Sequence, residues 1–274
     1  ILLMNSYLDK IIEQTASTVE LEKQKMPLQE LRSYLSDLNE TKGFFESIKA
    51  RHNDGLISVI AEIKRASPSQ GLIRENFNPK DIAQSYQASQ ATCLSVLTDT
   101  PFFQGSIEDL ASVREVVDLP LLRKDFIIDE YQIYQSRIYG ADCILLIASV
   151  LTDIQLKEFK ETAQDLNLDV LIEVHDKPEM DRAKDLGFSL IGINNRDLKT
   201  FKVNLETTIN LSKGLQDKII VSESGIKTKE DVKKIMSSGT KTFLVGESFM
   251  RASNPGEELE KLFFSQIQLY HYKK

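Results

Sequence analysis

The stretch ISVIAEIKRASPSQG, residues 57–71, begins as an apolar strand and ends in a loop rich in serine and proline. Two charged residues, Glu62 and Lys64, interrupt the strand near its end. Side chains two residues apart on a strand point to the same face, so both charges share one face. We expect that face to meet either solvent or a site that uses charge.

Seven further β-rich runs follow along the chain, and their starts lie 21 to 35 residues apart. A strand with its crossover helix needs about that length of chain. Several of the runs are almost continuously apolar, which is typical of parallel strands buried on both faces. The runs are 92–99, 119–126, 143–150, 169–175, 190–196, 218–224 and 242–249.

The segments between these runs carry helix signals at both ends. Asn78 before Pro79 is a helix start, and capping-box patterns occupy 106–109, 152–155, 176–179 and 228–231. Helix-ending glycines are expected at three positions, Gly140, Gly187 and Gly239. Eight such βα units predict an α/β protein with a closed (β/α)8 TIM barrel. The alternative is an open doubly wound sheet, whose dinucleotide-binding form is disfavoured because no G-x-G-x-x-G follows the first strand.

A single domain is predicted over residues 1–274. Residues 1–50 form an N-terminal helical extension, with apolar residues at helical spacing (Leu8, Ile11, Ile12, Val19) and a second helix after it. The barrel itself is predicted over 57–262. The extension is expected to cover one end of the barrel.

Composition excludes several classes of function. The net charge of -7 without a block of like charge argues against nucleic-acid binding and disorder. Cys93 and Cys143 lie in apolar runs and are predicted to be buried thiols, and no cysteine or histidine spacing indicates a metal. The longest apolar run, 143–151, is too short for a membrane helix. We expect a cytoplasmic protein with no membrane partner, compatible with a monomer.

Polar residues end six of the eight predicted strands. Because chemistry in such barrels occurs at the carboxyl ends of the strands, these side chains are predicted to converge. Each one alone is as well explained by a strand leaving the core. Together, buried lysines and glutamates would pair, shift each other's pKa values and suit acid–base work. The charged members are Glu62, Lys64, Arg123, Lys124, Asp125, Glu173, His175, Arg196, Glu223 and Glu247.

Glycines after the last two strands indicate phosphate. The segments SESG, 222–225, and LVGES, 244–248, stand in the loops where many barrels bind phosphate through backbone amides. Glycine lets the backbone approach an anion closely. The residues therefore predict an enzyme without cofactor or metal that acts on a small phosphorylated molecule.

Seven motifs in order along residues 5–262 resemble the indole-3-glycerol phosphate synthase family of tryptophan biosynthesis. They are EIKRASPSQG, SVLTD with FFQGSIEDL, LLRKDFIID, LIEVHD, GINNRDL, VSESGI and LVGESFMR. The resemblance implies conversion of 1-(o-carboxyphenylamino)-1-deoxyribulose 5-phosphate into indole-3-glycerol phosphate, CO₂ and water. It implies general acid–base catalysis without a cofactor.

The resemblance also implies roles for single residues. Lys124 is expected to protonate the substrate carbonyl oxygen, Glu173 to be its acid–base partner, and Lys64 to bind the departing carboxylate and serve as a second general acid. Glu62, Asn194 and Glu223 are expected to orient these groups. The substrate and phosphate positions are expected to be lined by Ser67, Phe126, Arg196, Ser224, Gly225, Gly246 and Glu247.

Two positions depart from the family pattern. Gln70 stands where a lysine is common, and Glu247 places a carboxylate beside the expected phosphate. Glu247 is therefore expected to offer its backbone amide and turn its side chain away. Two other functions are weighed against the synthase: a barrel like phosphoribosylanthranilate isomerase, and a barrel that binds phosphate ligands without catalysis. The two lysines argue against the isomerase, and the presence of Lys124 and Glu173 argues against a silent barrel.

Overall fold

A computed structural model describes residues 7–198 and 200–264. Eight parallel strands close into a barrel, in which the first strand pairs with both the second and the last. This confirms the predicted (β/α)8 architecture and rules out the open sheet. The strands are β1 Ser58–Ile63, β2 Cys93–Leu97, β3 Leu121–Lys124, β4 Cys143–Ile147, β5 Asp169–Val174, β6 Leu190–Asn194, β7 Ile219–Glu223 and β8 Thr242–Val245.

In the part of the chain that the structure describes, three helices precede β1, one helix lies between each two consecutive strands, and two helices follow β8. They are α1 Tyr7–Lys25, α2 Leu28–Ser33, α3 Phe44–Asn53, α4 Pro79–Ala88, α5 Ile107–Arg114, α6 Glu130–Ile138, α7 Asp153–Asp165, α8 Lys177–Asp185, α9 Glu206–Leu211, α10 Lys229–Met236, α11 Glu247–Arg251 and α12 Pro255–Phe263. A short 3₁₀ turn, Tyr34–Asp37, follows α2, and an antiparallel hairpin pairs Ala66–Ser67 with Gly71–Leu72. That hairpin lies in a segment predicted only as loop.

The predicted helix signals are largely confirmed. Asn78 caps α4, and complete capping boxes start α5, α7 and α10. The box predicted at 176–179 is only half formed, because the Glu179 carboxylate accepts the backbone N–H of His175. The three helix-ending glycines all have positive φ, the conformation that favours glycine there.

Apolar side chains form two main core layers. One fills the inside of the barrel with residues such as Ile60, Leu122 and Leu171, and the other lies between the sheet and the surrounding helices. Cys93 and Cys143 are buried free thiols in the inner layer, as predicted. Among the described residues, no helix has the length and apolar character needed to cross a membrane.

The N-terminal extension covers both ends of the barrel. Phe44 and Ile48 of α3 are fully buried in the inner core, and His52 Nε2 lies 2.9 Å from Thr242 Oγ1 at the start of β8. Helix α3 therefore closes the amino end of the strands. The sequence interpretation gave the extension two helices and one covered end, so α3 as a bottom plug was missed. Residues 1–6 and 265–274, at the predicted limits of the domain, lie outside the described residues.

A buried amide ties β6 to β7. Asn195 Nδ2 donates to Ser222 Oγ and to the Ser224 carbonyl, each at 3.1 Å. Its Oδ1 accepts from Thr208 N at 3.1 Å and from Thr208 Oγ1 at 2.8 Å. Both donor and acceptor atoms of the amide are therefore paired inside the protein.

We predict that Asn195→Ala destabilises the fold by about 2–3 kcal/mol, because it leaves buried partners without hydrogen bonds. Urea unfolding at constant pH measures the change. Asn210→Ala is the matched control, because the exposed Asn210 side chain accepts a hydrogen bond from Lys213 at the surface, and about 0.5 kcal/mol or less is expected. Equal effects of the two variants would contradict the assignment.

Candidate active site

One cavity opens at the carboxyl ends of the strands, and all thirteen residues predicted for the site line it. Five come from the ends of barrel strands and eight from the segments just beyond them. The structure thus brings together Glu62, Lys64, Ser67, Lys124, Phe126, Glu173, Asn194, Arg196, Glu223, Ser224, Gly225, Gly246 and Glu247.

Glu62 and Lys64 share a face, as the spacing predicted. Lys64 Nζ lies 2.7 Å from Glu62 Oε1, and the two side chains are 17% and 5% exposed. Ser95 Oγ donates to the other oxygen of Glu62 at 3.5 Å. The charges that interrupt β1 therefore pair with each other inside the cavity rather than facing bulk solvent.

Lys124 occupies the centre of a second group. Its Nζ lies 3.0 Å from Glu173 Oε2 and 3.7 Å from Glu223 Oε2. Asn194 Nδ2 donates to Glu173 Oε1 at 3.1 Å. One ammonium thus stands between two carboxyl groups whose side chains are each 3% exposed.

The close approach of these groups shifts their pKa values in different directions. Burial would lower the pKa of Lys124, but Glu173, Glu223 and Glu62 outweigh burial and raise it. Burial would raise the pKa of Glu173, yet Lys124, His175 and Asn194 hold it well below its usual range. Burial and the Glu173 charge raise the pKa of Glu223 to about 8 despite Lys124. These shifts favour an ammonium at Lys124, a carboxylate at Glu173 and the protonated acid at Glu223.

Two glycines make room for the buried carboxyl groups. A Cβ on Gly192 of β6 would lie 2.0 Å from Glu223 Oε1, and one on Gly246 would lie 2.5 Å from Glu62 Oε1. Any larger residue would displace the carboxyl group that it faces. The glycine interrupting β6 therefore belongs to the site, which the sequence interpretation did not recognise.

The loops after β7 and β8 form the other side of the cavity. Ser224 and Gly225 have φ values of 68° and 83°, and a Cβ on Gly225 would come within 2.2 Å of Val203 Cγ1. Gly225 thus combines a left-handed backbone with close packing against the loop after β6. Ser248 Oγ donates to the Ile226 carbonyl at 2.9 Å and joins the two loops.

The two departures from the family pattern meet at Arg251. Glu247 Oε1 lies 3.3 Å from Arg251 Nε and Glu247 Oε2 lies 3.5 Å from Arg196 Nη2. Arg251 Nη2 also donates to Gln70 Oε1 at 2.8 Å. Glu247 lines the cavity with its charge opposed by two guanidinium groups, so the expectation that its side chain turns away stays a prediction.

Apolar groups at the cavity mouth were missed from the sequence. Tyr7, Leu8 and Ile11 of α1 line the cavity, and the Tyr7 ring contacts Phe102 and Phe201 edge-on at 5.7 Å. The apolar spacing of α1 was recognised, but it carries no signal for which end of the barrel the helix covers.

Several polar residues at strand ends do not line the cavity. Arg123 turns toward α6 and donates to Gln135 Oε1 of that helix at 2.8 Å. It also donates to Asp125, just after β3, at 2.9 Å. Asn195 and His175 also lie outside the lining. In the described ranges, no group of three or more His, Cys, Asp or Glu side chains is arranged to hold a metal ion. The absence of a cofactor stays a prediction.

Comparison with known proteins places these features in a family. The family model described as "Indole-3-glycerol phosphate synthase" matches residues 8–262. Proteins named indole-3-glycerol phosphate synthase from Neisseria meningitidis serogroup C and Delftia acidovorans are each 48% identical to this chain. Each alignment covers 95% of this chain and the whole of the relative.

Solved structures show the fold at low sequence identity. A 3-hexulose-6-phosphate synthase from Salmonella typhimurium aligns over 75% of this chain and 96% of its own, with a TM-score of 0.61 and 13% identity. A thiamine phosphate pyrophosphorylase from Pyrococcus furiosus aligns with a TM-score of 0.57 and 15% identity, over 75% of this chain and 93% of its own. These likenesses concern the fold alone. By its sequence, the chain belongs to the indole-3-glycerol phosphate synthase family of carboxy-lyases in tryptophan biosynthesis.

Proposed function

We propose that this chain closes the indole ring of 1-(o-carboxyphenylamino)-1-deoxyribulose 5-phosphate, releasing CO₂ and water. The observation that carries the proposal is the group of Lys124, Glu173 and Glu223 in one cavity with the Glu62–Lys64 pair. Glycine-containing loops suited to phosphate bound the same cavity. We expect this reaction to take place in the cytoplasm, on a small phosphorylated molecule.

Lys124 is the general acid of the first step. The aryl carbon that bears the carboxylate attacks the substrate carbonyl carbon, and the carbonyl oxygen gains negative charge. The ammonium of Lys124 gives this oxygen a proton, so the new carbon–carbon bond forms as a neutral hydroxyl appears. The adjacent carboxyl groups keep Lys124 protonated until substrate arrives, because they raise its pKa.

Lys64 binds the carboxylate that leaves. Its charge holds the anion while the ring carries the positive charge produced by the attack. The carbon–carboxylate bond then breaks, CO₂ departs, and the bonding electron pair returns to the ring. Glu62, 2.7 Å from Lys64 Nζ, fixes the position of that ammonium and transfers no proton in this step. After CO₂ leaves, Lys64 is free to act as a second general acid.

Glu173 and Glu223 serve the cationic ring and the dehydration. The Glu173 carboxylate stabilises the cationic intermediate and accepts the proton lost from the carbon next to nitrogen. The hydroxyl formed in the first step leaves as water after Lys64, the second general acid, gives it a proton. Glu223, protonated at neutral pH, lies beside Lys124. It orients this ammonium without placing a second negative charge next to it.

The remaining residues hold the substrate. Asn194 fixes Glu173 through its amide, and the ring of Phe126, 6.1 Å from that of Phe103, offers an apolar surface for the aromatic group. The phosphate is assigned to the loops after β7 and β8, because residues of both loops line the cavity and glycine in each lets the backbone approach an anion. The substrate-binding residues are Ser67, Phe126, Arg196, Ser224, Gly225, Gly246 and Glu247.

We predict that Lys124→Ala and Glu173→Gln each lower kcat by about 10²-fold or more, because each removes a proton-transfer group. The fluorescence of indole-3-glycerol phosphate reports turnover, with EDTA present throughout. Lys157→Ala is the control, because this lysine is exposed on α7, and full activity is expected.

Three results would contradict the proposal. Inactivity of the folded wild type toward a substrate that it binds would indicate a silent phosphate-binding barrel. Isomerisation of phosphoribosylanthranilate would indicate the isomerase instead. Loss of activity in EDTA, with recovery on adding a divalent metal, would contradict the metal-free chemistry.

The raised pKa of Glu223 predicts the direction in which the stability of the fold changes with pH. Its pKa rises from 4.5 to about 8 on folding, so the folded chain keeps a proton that the unfolded chain releases. Rising pH between these values therefore favours unfolding through this group. Glutamine at this position does not titrate. We therefore expect the stability of Glu223→Gln, measured relative to wild type, to rise by about 2 kcal/mol from pH 5 to pH 7.

Urea unfolding of both proteins at pH 5, 6 and 7 measures this difference. Glu206→Gln is the matched control, because Glu206 is half exposed and pairs with Lys234 on the outer surface. Its stability is expected to run parallel to wild type across the range. A Glu223→Gln curve that also runs parallel would show that Glu223 is ionised in the folded protein.

A further inference from the structure

Glu173 has polar neighbours on the cavity side and one, His175, that does not line the cavity. Lys124 reaches Oε2 at 3.0 Å and Asn194 reaches Oε1 at 3.1 Å, both from the cavity wall. His175 approaches Oε1 from outside the lining, with Nε2 at 3.2 Å. Nε2 makes no hydrogen bond in this position, so the contact with Glu173 is one of proximity and charge.

A second carboxylate fixes the other side of the His175 ring. Glu179 Oε2 lies 3.1 Å from Nδ1 and also accepts the backbone N–H of His175 at 2.8 Å. Glu179 is itself held at the start of α8, where its N–H donates to Asp176 Oδ1. The side chains of His175 and Glu179 are each 14% exposed, so the ring has little freedom to turn.

The geometry decides the charge of the ring. A neutral imidazole carries one N–H and one lone pair, so either tautomer would turn a lone pair toward a carboxylate. Only the doubly protonated ring places positive charge, and no lone pair, beside both Glu173 and Glu179. In agreement, burial would lower the pKa of His175, but the two glutamates raise it to about 10.

We propose that His175 is a positioning residue, a permanent imidazolium behind Glu173 that holds this carboxylate in place and limits its basicity during acid–base catalysis. The inference rests on the proposed function, since it assigns Glu173 the same role. The charged groups that face the ring are Glu173 from β5 and Glu179 from α8. Lys124 of β3 is the other cation on Glu173.

The benefit of a second cation appears when Lys124 gives up its proton. Glu173 then loses its nearest positive charge while it must stay ionised and aimed at the substrate. His175 does not touch the cavity, so it retains its charge throughout the reaction. A fixed countercharge of this kind keeps the acid–base group oriented through each step.

The test replaces His175 by glutamine, which keeps a hydrogen-bond donor and removes the charge. We expect His175→Gln to lower kcat by about 10-fold or more and change KM by about twofold or less. The acid limb of the kcat–pH profile is expected to move up by about one pH unit, because Glu173 has lost a cation. A purely structural histidine would lower the melting temperature and leave the acid limb unchanged.

Two matched variants sharpen the result. His52→Gln alters a histidine at the opposite end of the barrel, next to Thr242, and is expected to leave the pH profile unchanged. Glu179→Gln keeps an acceptor for Nδ1 but removes one countercharge, so it is expected to lower the titration point of His175. An unchanged acid limb in folded His175→Gln would overturn the proposal.

A readout without activity separates this inference from the proposed function. Imidazole ¹⁵N chemical shifts, assigned with the His175→Gln spectrum, report the protonation of His175 directly. We expect a doubly protonated ring at pH 8 in wild type, and a lower titration point in Glu173→Gln. A neutral ring at pH 8 would overturn the inference even in an active enzyme, whereas an imidazolium in an enzyme without synthase activity would refute the proposed function alone.

Discussion

The ammonium of Lys124 is the charge on which the site depends. Removing an ion from water costs several kcal/mol unless opposite charge and hydrogen bonds offset the loss. Glu173 lies 3.0 Å from the ammonium and supplies that charge, and Glu223 lies 3.7 Å away, where a second carboxylate would be repelled by the first. The compromise is one carboxylate and one protonated acid around a single ammonium. The acid–base groups proposed for ring closure are thus produced by electrostatic balance among the side chains of the cavity.

Backbone and core provide the space that this balance needs. Gly192 and Gly246 leave room for the carboxyl groups of Glu223 and Glu62, while the loops after β6 and β7 pack together at Gly225. Behind the cavity, His175 and Glu179 extend the alternation of charge away from the substrate. Each charged side chain of this group therefore has an opposite charge within ion-pair distance.

The barrel could be predicted from sequence because its signals are local and repeated. Capping residues such as Ser106 and Thr152, and strand runs at regular spacing, act within a few residues of where they stand. The convergence of Glu62, Lys124 and Glu173 followed from the rule that strand ends meet. Gly192 was missed because its role depends on Glu223 of the neighbouring strand. His175 was predicted to converge with the other strand-end charges, but it lies outside the cavity lining. Helix α3 was missed because no local signal tells which end of a barrel a helix covers.

Thermodynamic coupling between Lys124 and Glu173 tests the central claim most directly. Free energies of unfolding would be measured for Lys124→Met, Glu173→Gln and the double variant. If the two charges compensate each other, the effects of the single variants will not add, and the coupling energy will exceed about 2 kcal/mol. Additive effects, within about 0.5 kcal/mol, would contradict the view that the buried ammonium and its carboxylates form one electrostatic unit.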